Sequence, residues 1–308
     1  MGEGIMRLGY VHIRTTDLEA SRRHYRDVMG MQEMACHNDR VYFKCWDEYD
    51  HHSVVVQQSD RAGLEKMGFK VHTYDDLDAL EKQVMQHGGA VTRFSEGENY
   101  KVGQGIRFEI PSGHVMELYV EMEQVGKALP SLNPPPYPEG LKGVGAPRID
   151  HLLITSEKPT ETIEWLMKAL NFYMAERVVE NEHSDKPIAA WLFRSNTPHD
   201  IAIIPGPDKK IHHFAFWLDD WFEIRKAGDV FSKNDVSIDV GPERHGITRG
   251  QTIYYFDPAG NRNEVFTGGY IAYPDMPVVT WTVDQLDRGI FYFNHRKEWI
   301  EGFTSNVT

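Results

Sequence analysis

Three residues that commonly bind metal ions, His151, His213 and Glu264, stand far apart in the chain, each within a segment that predicts a β-strand. Two imidazoles and one carboxylate leave several coordination positions of a bound metal ion open. This combination suits non-haem Fe(II) best, with zinc and manganese as competitors. Because only the fold can bring three separate strands together, their spacing in the sequence does not show that they converge.

An internal duplication makes coincidence a poor explanation for these three residues. Residues 106–119 (IRFEIPSGHVMELY) and 253–266 (IYYFDPAGNRNEVF) both read as a strand, a Pro-x-Gly turn and a second strand. Two upstream segments are also repeated, 8–31 as 149–172 and 68–85 as 213–230. Where the second copy has His151, His213 and Glu264, the first copy has Tyr10, Gly68 and Glu117. We therefore expect a metal site in the second copy and only its scaffold in the first.

One ligand position is ambiguous from the residues alone. His212 precedes His213, and neighbouring side chains of a strand point to opposite faces. The repeat does not decide between them, because the first copy has only lysine or glycine nearby.

Length and composition predict a soluble protein of two domains. The chain has 308 residues, which suits two domains of about 150 residues each. A formal net charge of −13 argues against nucleic-acid binding and gives no reason to expect binding to anionic membranes. The two cysteines, Cys36 and Cys45, are too few for a disulfide framework and indicate a reducing, cytoplasmic setting.

The order of predicted elements is a strand, a helix and further strands, passed through twice in each half. Helices are predicted from Asp17 to Gly30, over 75–89, near 158–170 and near 221–234. We expect an N-terminal domain without a metal site over 1–127, a linker rich in Pro and Gly over 128–147, a metal-binding domain over 148–268, and a tail over 269–308 that covers the site or forms a subunit contact.

Several motifs of the second half resemble those of the extradiol ring-cleaving dioxygenases, and among them the catechol 2,3-dioxygenases. They are IHHFAFWLDDW (211–221), GPERHGITRG (241–250), TIYYFDPAGNRNEVFTGG (252–269) and TWTVDQLDRGIFYF (280–293). The resemblance implies an α+β vicinal-oxygen-chelate fold, the fold shared with glyoxalase and bleomycin-resistance proteins, made of four βαβββ modules in two tandem domains. It also implies a single ferrous ion, held in the C-terminal domain.

The resemblance also implies roles for individual residues. His151, His213 and Glu264 would be the metal ligands, which selects His213 over His212. His199 would act as an acid–base residue beside the oxygen site, while His245 and Tyr254 would hydrogen-bond the substrate. The residues expected near the substrate ring are Trp191, Ile203, Ile247, Thr248, Ile290 and Phe303.

The activity implied by the resemblance is extradiol cleavage of a catechol with O2 to a 2-hydroxymuconic semialdehyde, in aromatic catabolism. The implied cofactor is Fe(II), with Mn(II) less favoured, and the implied assembly is a homotetramer. No expected ring contact is charged, which favours a neutral catechol, although Arg244 and Arg249 flank His245. Two alternatives remain open at this point: a glyoxalase-like isomerase of the same fold, and a metal-free small-molecule-binding resistance protein.

If His213 is a ligand and His212 is not, the two histidines differ in their effect on metal binding. We expect His213→Ala to abolish iron retention and His212→Ala to leave iron bound. Metal analysis of the two purified variants after loading with Fe(II) distinguishes them. The opposite result would mean that the faces of the strand are assigned wrongly.

Overall fold

The computed structural model describes residues 4–295 and 305–308, which form two sheets with helices packed on them. The first sheet has eight strands in the order β2-β3-β4-β1-β5-β8-β7-β6. Its strands are β1 (Ile5–Thr15), β2 (Gln32–His37), β3 (Arg40–Lys44), β4 (Val54–Gln58), β5 (Gly63–Val71), β6 (Thr92–Phe94), β7 (Gly105–Glu109) and β8 (Val115–Tyr119).

The second sheet repeats this order and adds one strand at its edge. Its nine strands lie in the order β14-β15-β16-β13-β9-β12-β11-β10-β17. They are β9 (Arg148–Ser156), β10 (Tyr173–Val179), β11 (Ala189–Phe193), β12 (Ile201–Pro205), β13 (Ile211–Trp217), β14 (Ile238–Arg244), β15 (Gly250–Phe256), β16 (Arg262–Gly268) and β17 (Val279–Thr282). If β17 is set aside, each strand of one sheet has a counterpart at the same place in the other.

Four longer helical segments connect the strands, two in each half. They are α1 (Leu18–Arg23) with a π-helical turn over His24–Val28, α2 (Tyr74–Gln86), α3 (Pro159–Leu170) and α4 (Trp221–Lys233). Asp17, Thr73 and Asp220 cap three of them, since each side chain accepts a hydrogen bond from a backbone N–H of the first turn. None of the helices in the described part of the chain combines the length and apolar character needed to span a membrane.

The helix-facing sides of both sheets share one hydrophobic core. This cluster contains buried residues of both halves, and ring pairs such as Phe69 with Phe172 (centroids 5.6 Å apart) join the two. Alternation along each strand leaves the other face of the second sheet free for a different set of side chains. On β9, for example, Leu152 and Ile154 belong to the shared core, whereas Leu153 belongs to a separate cluster on the opposite face.

The chain after β16 returns to the second sheet. β17 pairs in parallel with β10, a 3₁₀ turn follows over Val283–Gln285, and α5 spans Leu286–Ile290. Leu286 and Ile290 pack against the cluster on the free face of the sheet. The tail therefore covers part of that face.

On the corresponding face of the first sheet, Tyr10 fills the space above Gly68. The two residues are paired across β1 and β5, and a methyl group added at Gly68 would lie 2.2 Å from Cε1 of Tyr10. Gly68 pairs with Glu117 in the first sheet, and Ala215 pairs with Glu264 in the second. Ala215 is therefore the residue of the second sheet that corresponds to Gly68.

We expect Gly68→Ala to destabilise the protein by about 1–3 kcal/mol, since the buried ring of Tyr10 must move to admit the methyl group. Urea denaturation measures the change. Gly228→Ala, within α4, is the matched control. Its new methyl group meets only the end of the Ile253 side chain at 3.3 Å, and alanine favours the helix by about 1 kcal/mol. Equal effects of the two substitutions would contradict this account of Gly68.

Candidate metal centre and substrate cavity

Three neighbouring strands at the centre of the second sheet carry the predicted metal ligands. β9 carries His151, β13 carries His213 and β16 carries Glu264, and β13 lies between the other two. One potential ligand atom of each residue lies within 4.8 Å of those of the other two, and all three side chains are buried. The fold thus brings together three residues that span more than a hundred positions of the chain.

A β-bulge decides how the His212–His213 pair is presented. The pairing of β13 with β9 shifts between Ile211 and His213, so the two imidazoles lie side by side with centroids 4.9 Å apart. His213 Nε2 lies 3.0 Å from Glu264 Oε2. His212 contacts His213 from behind, with 2.6 Å between the two Nδ1 atoms. His213 therefore faces the site and His212 supports it.

The unsatisfied polar atoms at this point fit a metal ion. Within the described chain, His213 Nε2 and Glu264 Oε1 are buried without a hydrogen-bond partner, a costly state unless another ligand binds them. Burial would raise the pKa of Glu264, but its contacts with His151 and His213 hold it well below the usual value. Burial lowers the pKa of His213 to about 4, which keeps that ring neutral. An ionised carboxylate and a neutral imidazole are the protonation states that metal ligation needs.

Each histidine of the triad has an orienting partner. His151 Nδ1 lies 2.8 Å from Oδ2 of Asp150, which leaves Nε2 directed at Glu264, 3.0 Å away. Burial opposes a charge on His151, but these two carboxylates outweigh it and raise the pKa to about 9, so metal binding would displace a proton there. Behind His213, Arg262 Nη1 donates to His212 Nε2 at 2.6 Å. Carboxylates and backbone groups behind ligating histidines commonly fix ring orientation in metal sites.

The matching point of the first sheet is closed by ion pairs. Glu117 Oε1 accepts hydrogen bonds from Lys66 Nζ at 2.9 Å and Arg107 Nε at 2.6 Å, and Oε2 accepts from Asn99 Nδ2 at 2.9 Å and from the Tyr10 hydroxyl. A carboxylate so neutralised has no need of a metal ion. This also removes the ligand from the first half that a glyoxalase-like arrangement would recruit.

Strand register corrects one match made from the repeat. Gly68 was expected to stand where His213 does, but Gly68 pairs with Glu117 and Ala215 pairs with Glu264. His213 lies two residues before Ala215 on β13, and Lys66 lies two residues before Gly68 on β5, so Lys66 is the counterpart of His213. The match was wrong because it placed the two strands 145 residues apart (213 − 68), whereas the register gives 147 (215 − 68), the same offset that separates Glu117 from Glu264.

The three other polar residues predicted for the site also border it. His199 precedes β12, and its ring centroid is 3.9 Å from that of His151. Burial, followed by the charge of His151, lowers the pKa of His199 well below its usual value. Tyr254 lies directly opposite Glu264 in the β15–β16 pairing. His245 follows β14, and its Nε2 is 2.9 Å from the Tyr254 hydroxyl.

The tail fixes the orientation of His245. His245 Nδ1 lies 2.5 Å from the backbone carbonyl oxygen of Ile290 in α5. A carbonyl only accepts, so Nδ1 carries the proton and, in the neutral ring, Nε2 accepts from Tyr254.

The polar residues open into a mostly apolar cavity of about 260 Å³. Four of the six residues expected near the substrate line it, namely Trp191, Ile247, Thr248 and Ile290. Phe303 lies outside the described residues. The remaining lining side chains are Leu153, Val178, Ile188, Ala189, Ile204, Pro205, Leu286 and Phe266, together with the backbone at Gly289 and the residues of the site.

The structure places Ile203, expected near the substrate ring, in the shared core and not in the lining of the cavity. β12 pairs in parallel with β9, and Ala202 lies opposite Leu153 on the cavity face. Ile204 shares that face and lines the cavity, whereas Ile203 points into the shared core. The segment IAIIP is apolar throughout, so its composition does not show which residues face the cavity.

Most of the apolar lining was missed for the same reason, although one signal could have found part of it. Counting in steps of two along a strand from a residue already placed in the site leads from His151 to Leu153 and from Trp191 to Ala189. The lining contributed by α5, Leu286 among it, had no such signal, because the tail has no counterpart in the first half.

Known proteins match both halves of the chain. Residues 148–265 match the family described as the Glyoxalase/Bleomycin resistance protein/Dioxygenase superfamily, and residues 64–123 match the Catechol 2,3-dioxygenase-like N-terminal domain. The metapyrocatechase of Pseudomonas sp. (strain CF600) is 42% identical over 311 residues, which is 100% of both chains. The manganese-dependent 2,3-dihydroxybiphenyl 1,2-dioxygenase of Geobacillus genomosp. 3 is 28% identical over 307 residues, with 94% of each chain covered.

A solved structure shows the same architecture. The 2,3-dioxygenase LapB of Pseudomonas sp. KL28 superimposes with a TM-score of 0.88 at 39% identity, covering 92% of this chain and 100% of that one. The predicted α+β vicinal-oxygen-chelate fold is confirmed.

The position of Asp150 behind His151 yields a test of the site. We expect Asp150→Asn to weaken metal affinity by about 10- to 100-fold, because the ring of His151 loses the carboxylate that orients it. Titration of the metal-free protein with Fe(II) or Mn(II) measures the change. Asp200→Asn is the control. Asp200 is also buried, but it binds Arg194 and Ser195, so metal affinity should stay within about threefold. Equal losses in the two variants would contradict a specific role for Asp150.

Proposed function

This chain belongs to the metapyrocatechase family of extradiol dioxygenases, and from that premise we propose that it opens a catechol ring by meta cleavage with O2, giving a 2-hydroxymuconic semialdehyde. One observation carries the proposal to particular residues. The ligand atoms of His151, His213 and Glu264 converge within 4.8 Å on the wall of a mostly apolar cavity.

The proposed cofactor is a single Fe(II) ion held by these three residues. Two imidazoles and one carboxylate on one side of a metal, with positions left free, are the donor set of non-haem Fe(II) oxygenases. Mn(II) is the alternative, because a relative of full-length similarity is named as manganese-dependent. When bound by His151, His213 and Glu264, such an ion would supply Lewis acidity and redox chemistry for the reaction of a catechol with dioxygen.

His245 is proposed to receive the proton of a catechol hydroxyl, with Tyr254 beside it. With Nδ1 of His245 committed to the carbonyl of Ile290, the proton acceptor of the ring is Nε2, which faces the cavity beside Tyr254. Burial and the charge of Glu264 raise the pKa of Tyr254 well above its usual value, so the hydroxyl stays a hydrogen-bond donor. We assign His245 as the base and Tyr254 as the residue that steadies the ionised oxygen.

His199 is proposed as the acid–base residue on the opposite side of the ligands. Its ring is buried, packs on His151 and lines the cavity, and its Nδ1 has no hydrogen-bond partner among the described residues. A neutral imidazole in that position can take a proton from one reacting oxygen and return it to another.

The cavity chemistry supports an uncharged catechol as substrate. Among the described residues, the lining beyond the polar residues of the site and Thr248 is apolar, and neither Arg244 nor Arg249 is part of it. A carboxylate carried into such a lining would lose its hydration without gaining a partner. We therefore propose catechol or an alkylcatechol rather than a carboxylated one.

We also propose the domain division 1–127, 128–147, 148–268 and 269–308, a homotetrameric assembly and a cytoplasmic location. The positions of β1–β8 and of β9–β16 support the first. Exposed apolar side chains such as Phe222 and Leu132 are available for subunit contacts, and two unpaired cysteines suit a reducing compartment. Light scattering after gel filtration measures the assembly.

The test of the function is anaerobic loading with Fe(II) or Mn(II), followed by a catechol and air. The proposal expects a yellow ring-opened product from catechol and from 4-methylcatechol. It expects kcat/KM at least about 100-fold lower for a carboxylated catechol, which is about 2.7 kcal/mol of lost transition-state binding. Absence of ring opening with either metal would overturn the assignment.

The assignment of His199 gives a further prediction. We expect His199→Phe to retain the metal and to bind catechol anaerobically, but to lower kcat by about 10²- to 10⁴-fold, because the shape of the ring is kept and its proton acceptor is lost. Single-turnover kinetics with metal analysis measure both. The control is His183→Phe, which changes an exposed histidine and should leave kcat unchanged. Normal turnover in the His199 variant would remove this residue from the mechanism.

A further inference from the structure

Glu176 is a buried carboxylate that lies outside the proposed ligand set. It sits on β10 and is 1% exposed. Its Oε1 accepts hydrogen bonds from the backbone N–H of Thr248 at 2.6 Å and from the Tyr270 hydroxyl at 2.9 Å, and its Oε2 accepts from Trp281 Nε1 at 2.7 Å. The three donors come from three separate segments, which are the turn after β14, the chain after β16 and the tail strand β17.

The three donated hydrogen bonds, together with the nearby charge of Arg249, stabilise the charge of Glu176. Burial raises the pKa of Glu176, and the donated hydrogen bonds oppose that rise. A hydrogen bond to a buried carboxylate is about twice as strong as one between neutral groups. Glu176 therefore ties the three segments together more firmly than an amide or a hydroxyl would.

The first segment is strained and forms a wall of the cavity. Thr248 has φ +61° and ψ −11°, and Arg249 has φ +58°, a region that residues other than glycine adopt at a cost. Ile247 and Thr248 line the cavity. The hydrogen bond from Thr248 to Glu176 holds this turn in its strained conformation.

The tail forms another wall and reaches the same carboxylate through Trp281. Trp281 packs with Leu286 and Ile290 against the cavity cluster, and its ring lies 2.8 Å from the point where a Cβ at Gly246 would be. Gly246 in turn donates to the carbonyl oxygen of Gly289 at 2.9 Å. The tail and the strained turn are thus joined twice, once directly and once through Glu176.

We propose that Glu176 is a positioning residue for substrate binding, a clamp that holds the Ile247–Thr248 wall and the Leu286–Ile290 wall at the spacing a catechol ring requires. The inference rests on the proposed function for the identity of the substrate. The clamp itself is a property of the contacts and can be tested separately.

The sharpest test is Glu176→Gln combined with Trp281→Phe. Glutamine keeps the shape but offers one accepting oxygen, so either Trp281 or Thr248 faces an N–H group. We expect E176Q to raise KM and the anaerobic Kd for catechol about tenfold, with kcat within about threefold and metal content unchanged. W281F removes one donor, so the double variant should bind catechol better than E176Q alone because the amide oxygen is free for Thr248.

Amide hydrogen exchange tests the clamp without turnover. In E176Q, exchange should accelerate at residues 246–250 and 281–290 and stay unchanged in β9 and β13. Tyr270→Phe, which removes one donor and leaves the carboxylate, is the milder variant should E176Q fail to fold, and should raise KM about threefold.

The outcomes separate the clamp from the function. If the wild-type enzyme cleaves catechol but E176Q keeps the wild-type KM and the wild-type rates of amide hydrogen exchange, the clamp is contradicted and the proposed function is not. Effects of E176Q and W281F that multiply in the double variant also contradict it. A wild-type enzyme that leaves catechols unchanged contradicts the proposed function, and the exchange measurement then decides the clamp by itself.

Discussion

A carboxylate buried at the centre of a sheet must be compensated, and each half of this protein compensates one. Glu117 and Glu264 occupy matching positions on β8 and β16, at 0% and 1% exposure. In the first sheet, Lys66 and Arg107 supply the compensating positive charge. In the second, the residues around Glu264 are imidazoles and a tyrosine, which leave its charge available to a metal ion. The difference in compensation separates a structural half from a half that can do chemistry.

The register of the strands identifies the few residue differences that distinguish the surroundings of Glu117 from those of Glu264. Lys66 stands where His213 does, and Arg107 lies opposite Glu117 as Tyr254 lies opposite Glu264. A long cation reaches the carboxylate by itself and fills the space. The imidazoles of His151 and His213 also reach Glu264, at 3.0 Å, but an imidazole that has lost its proton can bind a metal ion instead. The Tyr10 ring, which needs Gly68 beneath it, completes the closure of the first sheet.

The first half supports the second through the shared core, and the tail supplies cavity residues that have no counterpart in the first half. Because the helix-facing sides of both sheets bury their residues in one cluster, the free face of the second sheet can carry polar groups without loss of the core. The tail then converts this open face into a cavity. It supplies apolar lining, orients His245 through the carbonyl of Ile290, and meets the sheet at Glu176.

The sequence by itself determined the duplication, the helices and strands, the half that carries the ligands, and, through its motifs, the family and its fold. These follow from residue types, periodicity and caps, which act locally and can be read along the chain. The tertiary structure alone decided that His213 rather than His212 faces Glu264, that Lys66 is the counterpart of His213, and that Ile204 rather than Ile203 lines the cavity. Each of these depends on strand register, which is fixed by pairing between distant segments, and the first depends also on a bulge. A shift of one residue exchanges the two faces of a strand, and an apolar segment such as 201–204 carries no local mark of which face is which.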